Sequence, residues 1–382
     1  MNNDVSELVQ RLHQADMNVV YVCAGAGTVA LGALFSVSGA SRTVLECNVP
    51  YSHNSFDRFL GRKPQKYVSE RSALQLAGRA LTRAQLLADT EVVLIGLSCT
   101  AAIVTSKVKR GLHRAYIATW QQNCVVTYYL ELEKGSRDRK REEDVVSRVV
   151  LNALAEAAGL EPCLGIAWLA GDKLERVVYD IDAAADKLYR RELDYFCVED
   201  FGRISYQPTK PVYIISGSFN PLHIGHINLA HAASKYLGEP LAFELSAFNV
   251  DKPAIEKAVA LARISQFAGY FSVYLTNAPT FLEKSRLFAE ATFIVGFDTA
   301  ERILMPRYYG DSEDNLFAAL REIRSHGCNF LVAPRANKDN QLKTVHDMVI
   351  PVEFVELFDE LPDFRQDISS TELRAVGAKG DR

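Results

Sequence analysis

The chain has 382 residues, 48% hydrophobic, 24% charged and 10% aromatic, with 22 Gly and 13 Pro. That length accommodates two or three domains, each able to bury its own core, and the composition excludes disordered, collagen-like and low-complexity classes. A formal net charge of −4, from 43 basic and 47 acidic side chains, argues against a surface dedicated to nucleic acid. The longest apolar stretches are strand-length and broken by Gly, Ser or charge, so no transmembrane helix is expected. The N-terminus, MNNDVSELVQRLHQAD, is acidic and amphipathic, unlike a secretory or mitochondrial leader. The 7 Cys are scattered without a CxxC pair, which reads as reduced thiols of a cytoplasmic protein.

Asn18–Cys23 predicts a short buried strand, followed by the glycine-bearing turn Ala24–Gly27 and a helix-compatible run to about Phe35. A second strand is expected at Arg42–Cys47. Ser69 suits the N-cap of a helix carrying Leu74, Ala77, Leu81 and Ala84 on one face and ending near Asp89, before a strand at Val92–Ile95. Ala115–Trp120 and Val125–Glu131, joined by polar Gln121–Asn123, predict a hairpin. The charged run Lys134–Asp144 leads into a helix that Gly159 stops. These elements make one α/β domain, about residues 1–160. Residues 161–209 read as a structured connector, with Asp180–Tyr189 helical. The third block, 210–382, opens with strand Val212–Ile215. A helix from about Ile227 to Leu237 and strands at Ala242–Leu245, Phe293–Gly296 and Asn329–Val332 follow. That alternation predicts a parallel sheet with helices on both faces. No internal repeat of solenoid period is present.

Between Ile215 and that helix stands Gly217-Ser-Phe-Asn-Pro-Leu-His-Ile-Gly-His226. A strand, a small-residue turn and a helix deliver a ligand to the carboxyl edge of a parallel sheet. Gly217 and Ser218 leave room for a phosphate near the backbone, and Pro221 stiffens the turn. His223 and His226, three residues apart at a helix start, can project to one side, where free N–H groups also favour an anion. Two imidazoles beside a nucleotide's phosphates can donate hydrogen bonds to charge that builds as the α–β bridge breaks.

This stretch resembles the nucleotidyltransferase superfamily that carries Gly-x-Phe-x-Pro-x-His-x-Gly-His. The resemblance implies a Rossmann-like parallel-sheet domain that transfers a nucleotidyl group from a nucleoside triphosphate and releases pyrophosphate. Ile368-Ser-Ser-Thr-Glu-Leu-Arg374 is similar to the Ile-Ser-Ser-Thr-x-x-Arg motif of its adenylyltransferases. Ser369, Ser370 and Thr371 can offer hydroxyls to phosphate oxygens, and the Arg374 fork can bind the β/γ-phosphates. Asn220-Pro221, and Phe293-Ile-Val-Gly-Phe-Asp-Thr299 with its strand ending in Gly-x-Asp, point to the nicotinamide- and nicotinate-mononucleotide adenylyltransferases. By that likeness His223, His226 and Arg374 are catalytic, and Gly217, Ser218, Phe219, Asn220, Asp298, Ser369, Ser370 and Thr371 bind nucleotide. Asp298 would accept from ribose hydroxyls or an amide; its alternative is an N-cap for the next helix. Glu244–Pro253 lies where these enzymes place a substrate loop, and Lys252 could meet a phosphate. No Trp follows Trp168, so Phe248, Phe281 or Phe297 would replace the family's stacking Trp.

The first half admits three readings. Gly25-Ala-Gly27 after a strand, with Glu46 about twenty residues on, fits a dinucleotide fingerprint whose acid binds a ribose. Ser38–Ser52 and Val68-Ser-Glu70 instead resemble the carboxyl-terminal domain of the CinA family, many of whose members are nicotinamide-mononucleotide deamidases. The family's nucleophilic turn reads here Cys23-Ala-Gly-Ala-Gly-Thr28, without the serine. Tyr51-Ser52 matches the family's Tyr-Ser, but Phe56 stands where a Lys follows, and Gly96–Ala101 replaces a Gly-rich loop. The fold is therefore expected without deamidase chemistry. Cys23 as a substitute nucleophile would need a base. The third reading, the one favoured, is a binding or oligomerising module with a nucleotide-shaped cleft.

Arg137–Arg141 with Glu142–Asp144 reads as a solvated, self-neutralising helix start. Trp120 and Trp168 read as packing residues. His113, His326 and His346 lack metal-ligand spacing, so no zinc is expected, and Mg²⁺ enters only with the triphosphate of ATP. The expected whole is a two-domain α/β adenylyltransferase acting on small nucleotides, homo-oligomeric and without nucleic-acid or membrane partners. Its alternatives are a superfamily enzyme using another acceptor or CTP, and a non-catalytic pyridine-nucleotide sensor.

Overall fold

In the computed structural model, residues 3–89, 92–106, 110–206, 213–248, 253–336, 341–362 and 364 are described. The chain forms two compact units: Met1–Asp182 with Glu199–Ile204 and Ser265–Tyr270, and Ala183–Val198 with Ser205–Ile264 and Phe271–Arg382.

The first unit runs α1 (Asn3–Leu12), β1 (Met17–Ala24), α2 (Thr28–Ser36), α3 (Ala40–Thr43), β2 (Val44–Asn48), α4 (His53–Leu60), α5 (Glu70–Leu87), β3 (Val93–Ala102), β4 (His113–Trp120), β5 (Cys124–Leu132), α6 (Arg139–Ala157) and β6 (Lys173–Asp180). Its sheet order is β2-β1-β3-β4-β5-β6. The first three strands are parallel, and β4 to β6 are added antiparallel. Apart from Asn18, β1 is built of hydrophobic residues because both of its faces are covered. Val19, Tyr21 and Cys23 join the core with α1, α2 and α6, while Val20 and Val22 pack with residues of α4 and α5. Ser69 caps α5, its hydroxyl accepting from the Ser72 N–H at 3.2 Å. Gly96 lets α5 lie against β3: a Cβ there would stand 2.0 Å from the Ala77 carbonyl oxygen.

Three boundaries depart from expectation. The strand expected from Arg42 begins at Val44, because Ala40–Thr43 closes a helical turn first. β3 continues to Ala102; its polar Ser98 and Thr100 are buried, donating to the carbonyls of Ala73 (2.6 Å) and Tyr67 (2.8 Å). The helix start at 137–144 is solvated only in part: Asp138–Arg141 and Asp144 are exposed, but Arg137 is buried against Asp172, and Glu142 and Glu143 are also buried. Trp120 packs in the interior as expected, but Trp168 is 45% exposed.

The second unit carries α7 (Ile181–Tyr189), β7 (Tyr195–Val198), β8 (Ile204–Ser205), β9 (Tyr213–Ser216), α8 (Ile224–Leu237), β10 (Ala242–Ser246), α9 (Lys257–Ser265), β11 (Val273–Thr276), α10 (Phe281–Leu287), β12 (Thr292–Gly296), α11 (Phe297–Ile303), α12 (Glu313–Ser325), β13 (Asn329–Ala333), β14 (Arg335–Ala336), β15 (Leu342–Lys343) and β16 (Phe358–Glu360). Strand order is β16-β13-β12-β9-β10-β11-β7-β8. From β16 to β11 every pairing is parallel, and β7 runs antiparallel to β11. The chain builds outward from β9 through β10 to β11, then returns to β12 and builds the other way. β9 and β12 are thus neighbours at the point where strand order reverses, the place where open parallel sheets bind ligands. The two-domain α/β arrangement read from the sequence is the one observed. Among the described residues no helix is long and apolar enough to cross a membrane.

Candidate functional site

At the end of β9 the chain enters a tight turn that its own residues hold. The Gly217 N–H donates to the Glu244 carbonyl at 3.0 Å, and Arg263 Nη1 donates to the Ser218 carbonyl at 3.2 Å. Phe219 takes a positive φ of 42° and folds back into the interior, where it is 1% exposed. Its ring meets Phe243 and His226 edge-on, at 5.3 and 5.1 Å between centroids. A Cβ on Gly217 would stand 2.8 Å from that ring, so the glycine makes the fold-back possible.

His223 and His226 then open α8 as a reciprocal cap. His223 Nδ1 accepts from the Gly225 N–H at 3.1 Å, and His226 Nδ1 accepts from the His223 N–H at 3.3 Å. With both Nδ1 atoms acting as acceptors, the neutral rings carry their protons on Nε2. Burial lowers the pKa of His223; burial and then the proximity of His223 push His226 down to about 3. Both imidazoles are therefore uncharged at neutral pH. This revises the expectation of free N–H groups at the helix start: the rings take two of them and present side-chain N–H donors in their place.

The pair lines a cavity of about 200 Å³ at the ends of β9, β12 and β13, together with Ser216, Gly217, Asp298 and Arg335. Asp298 is the second residue of α11, whose N-cap is Gly296, so it is not the cap. Its carboxylate forms an ion pair with Arg335. No sequence motif marks Arg335; its signal is a cation two residues beyond a strand that ends at the same sheet edge. Of the expected nucleotide-binding residues, Gly217 and Asp298 join the two histidines at the cavity. Phe219 supports His226 from beneath, and Ser218 and Asn220 are exposed away from the lining. Ser369, Ser370, Thr371, Arg374 and Lys252 lie outside the described residues. Among the aromatic candidates Phe297 lines the cavity, whereas Phe248 lies beneath the Arg191 guanidinium and Phe281 packs on Phe293 and Phe330. Glu244, at the head of the expected substrate loop, is wholly buried, paired with Lys284 at 2.8 Å and accepting from Thr276 Oγ1 at 2.7 Å.

The first unit has spent its anion-binding groups internally. Glu143 Oε1 accepts from the Gly27 N–H (2.9 Å), the Thr28 hydroxyl (3.0 Å) and the Val29 N–H (3.2 Å), filling the position that a dinucleotide phosphate would take. Glu46, the expected ribose acid, is held bidentate by Arg83. Cys23 is fully buried, and burial pushes its thiol up to about 12, which removes it as a nucleophile. Ser52 caps α4, and Phe56 is buried. His113 is bonded to the buried Glu142 at 2.7 Å, and His326 to Ser285 at 3.0 Å. Among the described residues no cluster of His, Cys, Asp and Glu could hold a metal ion.

No family model matches the chain. Over 113 residues it is 31% identical to a Schizosaccharomyces pombe protein named "Putative nicotinamide mononucleotide adenylyltransferase", a match covering 26% of this chain and 45% of that one. The chain is similar to that protein and to CinA-superfamily structures. The latter include competence/damage inducible protein CihA from Agrobacterium tumefaciens, at 20% identity and a TM-score of 0.32 over 41% of this chain and 97% of that one. A CinA superfamily protein from Escherichia coli matches at 20% identity and a TM-score of 0.33, over 40% of this chain and 88% of that one. The chain spans less than half the length of the S. pombe relative.

Proposed function

We propose that the second unit transfers an adenylyl group from Mg·ATP to the phosphate of a pyridine mononucleotide, nicotinamide or nicotinate mononucleotide, with the first unit non-catalytic. The observation that carries this reading is the histidine pair: two imidazoles, each fixed as an Nε2–H donor, line a cavity where β9 and β12 meet. Neutral N–H donors fit phosphoryl oxygens. They stay in place while charge builds on them, so the cavity does not reorganise during the reaction.

In this mechanism the acceptor phosphate oxygen attacks the α-phosphorus in line. The bond from Pα to the bridging oxygen breaks, and pyrophosphate leaves with Mg²⁺. His223 and His226 donate to the phosphoryl oxygens. Arg335, released from Asp298, adds a cation on the β13 side, and Asp298 then becomes free to accept from ribose hydroxyls. The similarity of Ile368–Arg374 to the family motif supports placing Ser369, Ser370, Thr371 and Arg374 on the β/γ-phosphates. The pyridine acceptor is supported by the S. pombe relative's name. The filled anion turn and the inert Cys23 support a non-catalytic first unit.

The test is pyrophosphate release from the full chain with ATP or CTP, each combined with nicotinamide mononucleotide, nicotinate mononucleotide or neither. Release dependent on ATP and a pyridine mononucleotide is expected. Release with CTP, or with neither acceptor, would replace this reading, and no release with any pair would remove it.

A further inference from the structure

Ser216 is the last residue of β9 and lies ahead of the Gly217–His226 motif. It lines the cavity, yet its hydroxyl is buried without a hydrogen-bond partner among the described residues. Buried hydroxyls in folded proteins are overwhelmingly satisfied, and one left open at a ligand cavity calls for a partner from the ligand. Among the described residues no protein group supplies one. The register partner of Ser216 on β10 is Glu244, whose carboxylate is already held by Lys284 and Thr276. The groups sharing the cavity are mainly donors: the two imidazole N–H groups and the Arg335 guanidinium. Asp298, the carboxylate there, is taken by Arg335. A lining of convergent donors selects a multiply charged oxyanion.

We infer that Ser216 is a binding residue of this cavity, donating its O–H to a phosphoryl oxygen of the bound nucleotide beside the two histidines. This rests on the adenylyl-transfer reading and adds to it a contact outside the sequence motif. A side chain at this position also narrows the floor next to Gly217, so the hydroxyl restricts where the phosphate can sit.

Ser216→Ala removes the hydroxyl and keeps the Cβ. Thermal melting and equilibrium titration of the full chain with ATP, and separately with inorganic pyrophosphate, form the test. The ligand-free melting temperature of the variant is expected at or above that of the wild type, because the lost hydroxyl made no bond there. Its dissociation constant for ATP is expected to rise about tenfold or more. Unchanged ATP affinity overturns the assignment, and a lowered ligand-free melting temperature with unchanged affinity identifies a structural hydroxyl instead. Ser216→Cys, similar in size and a weak donor, serves if the alanine variant does not fold. A wild-type chain that binds neither probe overturns the adenylyl-transfer reading along with the serine; wild-type binding that Ser216→Ala leaves intact overturns the serine alone.

Discussion

His226 Nδ1 accepts the main-chain N–H of His223, so the second histidine of the turn fastens the first. The two rings lie 3.8 Å apart between centroids, and each has its Nδ1 committed to the backbone, which leaves the proton of the neutral ring on Nε2. The last four residues of the sequence motif, His223–His226, are also the cap of α8. Local structure and chemistry therefore cannot be changed independently at this point.

His226→Ala tests that coupling. Removing a donor from a preorganised oxyanion site lowers turnover by about 100-fold or more. The same change deletes one arm of the cap and lowers stability by about 1 kcal/mol. Steady-state pyrophosphate release and a denaturant melt measure the two effects separately. Near-normal turnover in a destabilised variant would leave His226 a cap and nothing else.

The depressed pKa values carry a sign. In the unfolded chain both histidines titrate near the ordinary value of about 6.5. In the folded chain burial holds His223 lower and takes His226 to about 3. Between those limits the unfolded chain binds protons that the native cavity refuses. The contribution of these groups is therefore full above pH of about 6.5 and declines as pH falls toward the folded value. Melting temperature measured from pH 7.5 to 4.5 is expected to fall more steeply for the wild type than for His226→Gln. Parallel curves would mean that His226 takes up its proton as readily folded as unfolded.

Gly217→Ala brings a methyl to 2.8 Å from the Phe219 ring, and that ring is pinned by Phe243 and His226. Displacing it costs about 1–3 kcal/mol, as overpacking does elsewhere. Because the ring carries His226, turnover is expected to fall too. Phe219→Leu in the same chain opens the space, so the glycine substitution should cost less in that background. Equal cost in both backgrounds, measured by urea unfolding, would place the strain elsewhere.

What the sequence made legible was mostly local. The continuous burial of β1, the Ser69 cap, the β4–β5 hairpin and the strand-turn-helix at Gly217 are each written within a few neighbouring residues. What it hid was relational. Glu143 fills a turn more than a hundred residues earlier, and Arg335 meets Asp298 only because β12 and β13 are neighbours in the sheet. Short strands such as β11 and β16 have too few residues to display a period, and the sheet, more than their own pattern, makes them strands. The polar Ser98 and Thr100 concealed the length of β3, since their hydroxyls are satisfied by carbonyls of preceding segments.

The Glu244–Lys284 pair provides a last test, of what holds the strand beneath the turn. Both side chains are inside, at 0% and 9% exposure, and Thr276 supplies a further bond to the carboxylate. Burying two charges costs much of what their attraction returns, but removing one leaves the other stranded. Lys284→Met is therefore expected to destabilise the chain by about 3–5 kcal/mol, and Glu244→Leu by a similar amount. The double variant, with two apolar groups of comparable volume, should lose less than either single change, because no charge then remains without a counterpart. A double-mutant cycle from equilibrium unfolding reads the coupling directly. Additive losses would show that the two charges do not depend on each other, and that the main-chain bond from Gly217 to Glu244 anchors the turn without their help.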